Sequence, residues 1–447
     1  MTGPALRVAI VGSGIAGLGA AHSLRGRACV TLFESADYFG GHTHTVDVSL
    51  PSSKNSAACT TFGVDTGFLV FNERTYPQLI GLFDALNVET AKSDMSFSVQ
   101  APQASGRGIE WSGSSLSGVF AQRSNLWSPK FLRMLADIVR FNRTCTKLAE
   151  AGLETEMLQP LGDFLKEQGL SREFRDWYFL PMMGSIWSCP TSQMLRFPVR
   201  TMIRFCHNHG LIQITNRPQW RTVKGGARHY VDKITSQIDD KRLSTPVRRI
   251  DRDSSVDAGG VRITTDDGTE IFDKVVLATH SDQALALLGQ PSWIERDVLG
   301  AIAYQPNLAV LHTDTSVLPQ RESAWAAWNY ERTASAAGAQ GEHAPGVCLH
   351  YLLNQLQPLP FAQPVIVSLN PIRKIPRTDI MGEFNYLHPV FDLAAIQAQA
   401  KLPTLQGQQH SFFCGAWTGY GFHEDGLKSG LEAARLLLRS QRLEVVV

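Results

Sequence analysis

Charge is scarce in this chain and evenly divided. Of 447 residues, 42 are Lys or Arg and 41 are Asp or Glu, for a net charge of +1 and a charged fraction of 19%, below the roughly 25% of ordinary globular chains. With no excess of one sign there is no field to gather a polyanion, so a nucleic-acid partner is not expected. Cysteine chemistry is equally thin. The seven cysteines (29, 59, 145, 189, 206, 348 and 414) are scattered, no CxxC occurs, and none sits with a histidine at zinc-ligand spacing. Reduced, mostly buried thiols in a cytoplasmic protein are expected, with no metal. No run of about 18 apolar residues exists to span a bilayer. Arg7 followed by apolar Val8 to Ala21 has the outline of a secretory signal, but three glycines interrupt it and no small-residue cleavage site follows. There is no internal repeat.

What is present is a core-forming composition, 43% hydrophobic, of a length that suggests about two or three domains of roughly 150 residues. Arg7 to Val11 reads as a buried strand, Leu18 to Arg25 as a helix and Cys29 to Phe33 as a second strand. In the middle, Ser128-Pro129 opens a helix whose apolar stripe is Phe131, Leu132, Leu135, Ile138, Val139 and Asn142. Val261 to Thr264, the turn at Asp266-Asp267-Gly268 and Lys274 to Ala278 return to strands. Residues 334–346 read as an exposed loop, five prolines between 357 and 377 exclude one long helix, and Gly426 to Leu443 reads as a closing helix. The alternation implies an α/β nucleotide domain built from separated pieces and interrupted by a second domain.

The first unit carries Gly12-Ser13-Gly14-Ile15-Ala16-Gly17 between strand and helix. Gly12 permits the tight turn, Gly14 lets backbone approach a pyrophosphate, and Gly17 allows close helix–strand packing. The helix N-terminus then offers free N–H groups and a favourable dipole to phosphate. Glu34 follows at the end of the second strand, where an acid can accept from both hydroxyls of an adenosine ribose. Alone the glycines say little; with both strands and the acid they specify a dinucleotide site.

Directly after Glu34 come Ser35 and, a few residues on, Gly40-Gly41-His42. Here the chain resembles the flavin amine oxidase superfamily, which includes monoamine oxidases, phytoene desaturases and protoporphyrinogen oxidases. In that family an arginine stands where this chain has His42. The resemblance continues through Asp65-Thr66-Gly67-Phe68 (the segment under the flavin), Lys224-Gly225-Gly226, Pro246-Val247 (backbone toward the adenine), Lys274 to Thr279, and Gly415 with Glu424 to Gly430. It implies a discontinuous Rossmann-like FAD-binding domain over residues 1–80, 215–290 and 405–447. A mixed α+β substrate domain is inserted over 81–214 and 291–404. FAD is expected to be non-covalent, since no cysteine stands where family analogy would attach it. Gly415 to Gly426 and Tyr386 to Asp392 further resemble a bacterial subgroup associated with fatty acyl chain modification.

The resemblance implies cofactor contacts at Gly12, Ser13, Gly14, Ala16, Gly17, Glu34, Ser35, Gly41, His42, Asp65, Gly67, Phe68, Val247, Gly415, His423 and Glu424. Tyr420, Phe422 and His423 are the catalytic candidates. Tyr420 and Phe422 flank the expected aromatic wall, with core packing as the bland alternative. For His423 and Glu424 the resemblance implies backbone N–H groups near the flavin pyrimidine or ribityl chain, with capping and solvent contact as the alternative; His423 is also a candidate base, and His388 is expected to be structural. Trp187, Trp325, Trp328 and Tyr330 are candidate channel aromatics. Arg204, His207 and His209 lack companions for a metal. Amine oxidases of the family carry a lysine near flavin N5, yet no lysine lies between Lys274 and Lys374. The leading expectation is therefore an FAD-dependent oxidoreductase dehydrogenating a hydrophobic substrate, a lipid acyl chain. Isomerisation without net oxidation, amine oxidation and non-catalytic flavin binding are the alternatives. The helix from Leu132 to Arg143 offers either a solvated basic face or a peripheral membrane contact, and no feature sets an oligomeric state.

Overall fold

The computed structural model describes residues 6–53, 58–101, 108–187, 194–213, 217–252, 260–332 and 347–444, with side chains to 441. Cys189 and the segment 334–346 lie outside them. The first sheet has five strands, all parallel, in the order Asp240–Arg242, Cys29–Phe33, Arg7–Val11, Lys274–Leu277 and Ser411–Phe413. Three distant stretches of chain thus build one Rossmann-like sheet. Beyond Arg7, Thr31 and Lys274 its central strands are apolar, because both faces are covered. The helices Ile15–Leu24 and His423–Glu444 pack on one face, around Leu18, Leu24, Leu427 and Leu437. The hairpin strands Val261–Thr265 and Gly268–Phe272 with the short helices Ser281–Leu287 and Trp293–Leu299 close the other.

The inserted part is a seven-stranded sheet in the order Ile380–Pro389, Tyr304–His312, Ile366–Leu369, Cys348–Leu352, Trp328–Glu331, Phe97–Ala101 and Ile109–Ser112. It is antiparallel except where Trp328–Glu331 runs parallel to Phe97–Ala101. Helices Pro129–Glu150, Leu180–Trp187 and Val199–Asn208 share the largest apolar core with it. The fold is therefore α/β with an inserted mixed α+β portion. Residues 90–93, placed by sequence with the insert, pair with Trp220–Val223. No described helix is long and apolar enough to cross a membrane.

Several sequence expectations shift for physical reasons. The glycine-loop helix opens at Ile15 rather than Leu18, directly after Gly14 as its N-cap. The closing helix opens at His423 rather than Gly426. There the Asp425 carboxylate accepts from Phe422 N at 3.0 Å, a capping geometry one turn before the apolar stripe begins. Helix Pro129–Glu150 starts where Ser128 predicts, its Oγ accepting from Phe131 N at 3.4 Å. Its buried face, however, is Phe131, Met134, Asp137, Phe141, Asn142 and Cys145, and Leu132 is exposed. A charged residue takes an inward position because Asp137 accepts from Ser171 N at 2.9 Å and pairs with Arg140 at 2.9 Å. Of the proposed channel aromatics, Trp325 packs instead in a small outer cluster, donating from Nε1 to Pro319 O at 2.8 Å, and Tyr330 is buried in the main core.

Asp65 ties the two parts together. At the end of strand Cys59–Asp65, its carboxylate accepts from Thr45 Oγ1 (2.5 Å), Ala227 N (2.9 Å) and Gln357 Nε2 (2.6 Å). Burial raises its pKa to about 7, although each of these donors pulls the other way. Removing the carboxylate would strand buried donors, at a cost of about 1–3 kcal/mol for each group left unsatisfied. Asp65→Ala is expected to lower unfolding stability by about 3 kcal/mol or more, read from guanidinium midpoints followed by circular dichroism.

Candidate functional site

A cavity of about 700 Å³ runs from the carboxyl edge of the parallel sheet to the junction of the seven-stranded sheet and its helices. Binding pockets of this kind span roughly 300–1,000 Å³. At the sheet end, Gly12 takes φ +99° and its N–H donates to Phe33 O at 2.9 Å, closing the turn. A Cβ on Gly17 would stand 1.9 Å from Gly12 O, whereas one on Gly14 would meet nothing within 4 Å. Gly17 therefore serves the packing beneath, and Gly14 keeps the space above the helix N-terminus open. That terminus has no side-chain cap, so its first-turn N–H groups are free for an anion. The Glu34 carboxylate borders the cavity and orders the loop: Oε2 accepts from Ser13 N at 2.9 Å and from Ser13 Oγ at 2.5 Å. Ser13 Oγ in turn accepts from Gly40 N at 3.0 Å, which pins the Gly40-Gly41 turn against the glycine loop. An acid, an uncapped helix N-terminus and open space above Gly14 together fit the ribose and diphosphate of a dinucleotide.

Of the sequence-derived contacts, Gly12, Ser13, Gly14, Ala16, Glu34, Ser35, Gly41, His42, Gly67, Phe68, Val247, Gly415 and His423 line this cavity, as do Tyr420 and Phe422. Gly17, Asp65 and Glu424 do not. Gly17 is consumed in packing and Asp65 in the bonds just described. Glu424 turns away, accepting from Gln78 N at 2.8 Å and Leu79 N at 3.0 Å at the start of helix Pro77–Leu86. Its side chain thus serves another helix terminus, where a carboxylate is favoured.

Four histidines reach the cavity between these ends. His42 lies 5.0 Å from Tyr386, 5.5 Å from His388 and 6.3 Å from His280, ring centre to ring centre. Its Nε2 is buried without a hydrogen-bond partner among the described residues. Burial, reinforced by the neighbouring imidazoles, takes the pKa of His42 down to about 3; burial similarly takes His388 to about 4 and His423 to about 3. All are neutral at ordinary pH. Where the family resemblance puts a permanent cation, this chain thus has a neutral ring with an uncommitted nitrogen. His423, the first residue of the closing helix, stacks on Phe68 at 3.7 Å and 10°. Its Nε2 lies 2.6 Å from Tyr230 Oη, itself 2.5 Å from Thr43 Oγ1.

The far end is an aromatic box that the sequence shows only in part. Trp187 closes helix Leu180–Trp187, and its indole N–H donates to Tyr420 O at 3.2 Å. Phe205 on helix Val199–Asn208 lies 4.4 Å from Trp187 and stacks on Phe422 at 5.1 Å and 18°. His209 lies 4.1 Å from Phe205 and 6.5 Å from Trp220. Asp425 shapes the opposite wall, accepting from both Tyr420 N and Phe422 N at 3.0 Å; burial raises its pKa to about 6. The sequence does not single out Phe205, Trp220 or Asp425 and offers His209 only as a metal candidate; the i, i+4 spacing of Phe205 and His209 is the one hint of a shared helix face. Arg204, beside Phe205, is half-exposed and pairs with the buried Glu154 at 2.6 Å, away from the cavity. Glu331, Cys348 and His350 form a separate buried polar group, already engaged with Ser368 and Arg373.

A parallel sheet built from three stretches of chain, a glycine loop with its ribose acid, and a cavity ending in aromatic rings define a dinucleotide-binding protein with an apolar compartment beside the nucleotide site. The family model for flavin containing amine oxidoreductases matches residues 15–339, and the chain belongs to that family; it is an FAD-dependent oxidoreductase. None of the curated proteins matches it by sequence. Among solved structures it is similar to the CLA-producing fatty acid isomerase of P. acnes (15% identity, TM-score 0.63, 97% of this chain and 98% of that one). It is also similar to cyclohexylamine oxidase of Brevibacterium oxydans IH-35A (16%, 0.66, 98% and 100%), and to wild-type putrescine oxidase bound to putrescine (14%, 0.66, 98% and 100%). At these identities the likeness is one of fold.

Two outcomes test the site. Glu34→Ala, which releases Ser13 and removes the ribose acceptor, is expected to weaken FAD retention by about tenfold or more, measured by flavin fluorescence on dilution. His209 is taken by burial from 6.5 to about 4. Between those values the unfolded chain binds a proton that the folded chain does not. The stability it contributes is therefore complete above pH 6.5 and lost on acidification toward pH 4. His209→Phe keeps the stacking and is expected to flatten that slope by roughly 1.4 kcal/mol per pH unit, read from urea midpoints.

Proposed function

We propose that the enzyme dehydrogenates a hydrophobic substrate, a lipid acyl chain, by hydride transfer to flavin N5. The observation that carries this reading is the chemistry of the cavity wall. Among its described residues there is no Lys, Arg or Asp, and the only carboxylate is Glu34 at the nucleotide end. The box of Trp187, Phe205, Trp220, Tyr420 and Phe422 therefore offers large apolar faces and no counter-ion for an ammonium group. Strand Tyr304–His312, where the family analogy looks for a lysine, has none and lends Tyr304 to the lining.

The flavin supplies the two-electron chemistry when bound; the protein places the substrate and excludes water. The Gly12–Gly17 loop, Glu34, Gly41, His42 and Gly415 would hold the cofactor. Tyr420 and Phe422, pinned by Asp425, would form the wall against which a substrate carbon rests. His423 would act as a positioning residue, since Tyr230 already engages its Nε2 and Phe68 covers one ring face. FAD is held without a covalent bond in this reading. No described cysteine lines the cavity, and Cys414, next to Gly415, is a buried thiol whose pKa is pushed up to about 12.

A second reading, isomerisation with the hydride returned at another carbon, has the support of the fold shared with a fatty acid isomerase. The test is anaerobic addition of phospholipid, free fatty acid or a primary amine to the purified enzyme. Loss of the visible flavin band with an acyl substrate and not with the amine is expected, and the reverse pattern overturns the proposal. Sustained oxygen uptake during turnover separates dehydrogenation from isomerisation. Phe422→Ala is expected to raise KM for the acyl substrate by about tenfold, the worth of one aromatic contact, with FAD content unchanged.

A further inference from the structure

One surface of the insert is built unlike the rest. Between Glu110 and Asp137 the sequence has no acidic residue but includes Arg123, Lys130 and Arg133. All three are exposed, and none forms an ion pair among the described residues. The same stretch carries four large apolar side chains in the open: Leu116 is 80% exposed, Trp127 86%, Leu132 45% and Leu126 44%. Scattered single apolar residues on a surface need no explanation, but a cluster of this kind does.

Local structure explains why these side chains cannot turn inward. The chain passes through a short helix at Leu116–Val119, a 3-10 turn at Arg123–Trp127 and the start of helix Pro129–Glu150. Asn125 takes the buried position of the 3-10 turn, its side-chain amide donating to Glu110 O at 3.4 Å. That leaves Leu126 and Trp127 facing outward. With Ser128 as N-cap, Trp127 and Leu132 occupy the two positions that commonly pack on each other as a staple at a helix start. At 86% exposure the Trp127 ring is not spent on that contact. Phe131 and Met134 already fill the inward face.

We infer that this tip, with Leu126, Trp127 and Leu132 as the inserting side chains and Arg123, Lys130 and Arg133 as the headgroup contacts, docks the enzyme on an anionic phospholipid bilayer. An indole and leucines framed by unpaired cations suit the boundary between headgroups and acyl chains. The complete absence of acid over the stretch supplies the charge complementarity. The footprint differs from a basic face along the Leu132–Arg143 helix, because Arg140 is paired with Asp137. Helix Pro129–Glu150 packs on Val199–Asn208, which brings Phe205 to the cavity wall, so the surface belongs to the same helical layer as the aromatic box.

The test is co-sedimentation of the FAD-loaded protein with vesicles of phosphatidylcholine alone or mixed with phosphatidylglycerol, scored without turnover. The result is therefore independent of the substrate reading. Binding to the anionic vesicles that weakens with salt is expected. Lys130→Gln with Arg133→Gln should lower the partition coefficient by about 25-fold, roughly fivefold for each cation. Trp127→Ser should lower it by about tenfold, and both variants should keep wild-type flavin absorbance because the side chains are exposed. Absence of binding to anionic vesicles, or binding that the substitutions leave unchanged, overturns the proposal. So does dissociation of a dimer by Trp127→Ser in sedimentation velocity, which would make the face a contact between copies.

Discussion

The structure depends on backbone-to-backbone contact between two helices and the parallel sheet beneath them. A methyl on Gly17 would come within 1.9 Å of Gly12 O, and one on Gly430 within 2.0 Å of Ala16 O; one on Gly426 would press on Ile15 at 2.8 Å. The neighbours of Gly17 and Gly430 are rigid main chain and that of Gly426 is a buried, branched side chain, so at the first two no side chain can be admitted without moving a helix. The closeness sets the height of the glycine-loop helix over the sheet and brings the N-terminus of the closing helix to the same cavity. Both functional ends of the molecule, the nucleotide loop and the aromatic wall at Tyr420 and Phe422, are positioned by that one contact.

From it follows the polarity of the cavity. Its nucleotide end is furnished with dipoles and one acid, its middle with histidines kept neutral by burial, and its far end with aromatic rings. A low-dielectric chamber without fixed positive charge strengthens every hydrogen bond made inside it and penalises every charge left unpaired. The exposed tip at Leu126 to Arg133 is its outward counterpart, apolar side chains placed beside cations rather than sealed from them.

Much of the fold could be read along the chain, and the reasons are local. Arg7–Val11, Cys29–Phe33 and Lys274–Leu277 are short, largely apolar runs with clear turn residues beside them, and Ser128-Pro129 is a strong helix start. Where the reading slipped, a polar residue had found a distant partner. Asp137 went inward because Ser171 and Arg140 satisfy it, which rotated the helix away from its apolar count. Asp65 and Glu424 sat in motifs associated with the cofactor, yet their carboxylates were claimed by Gln357 and Ala227 and by the helix beginning at Pro77. Periodicity cannot report a hydrogen bond that spans hundreds of residues.

The sequence by itself determined the cofactor class. A tight turn, an uncapped helix start and an acid at the next strand end occupy some 25 residues, so their mutual geometry is dictated by bonds between neighbours. Only the tertiary structure decided what the cofactor faces. Trp187, Phe205, His209, Trp220, Tyr420 and Phe422 come from four separate segments, and no local rule joins them. They meet because burying their rings against one another removes more apolar surface from water than any arrangement each segment could reach alone.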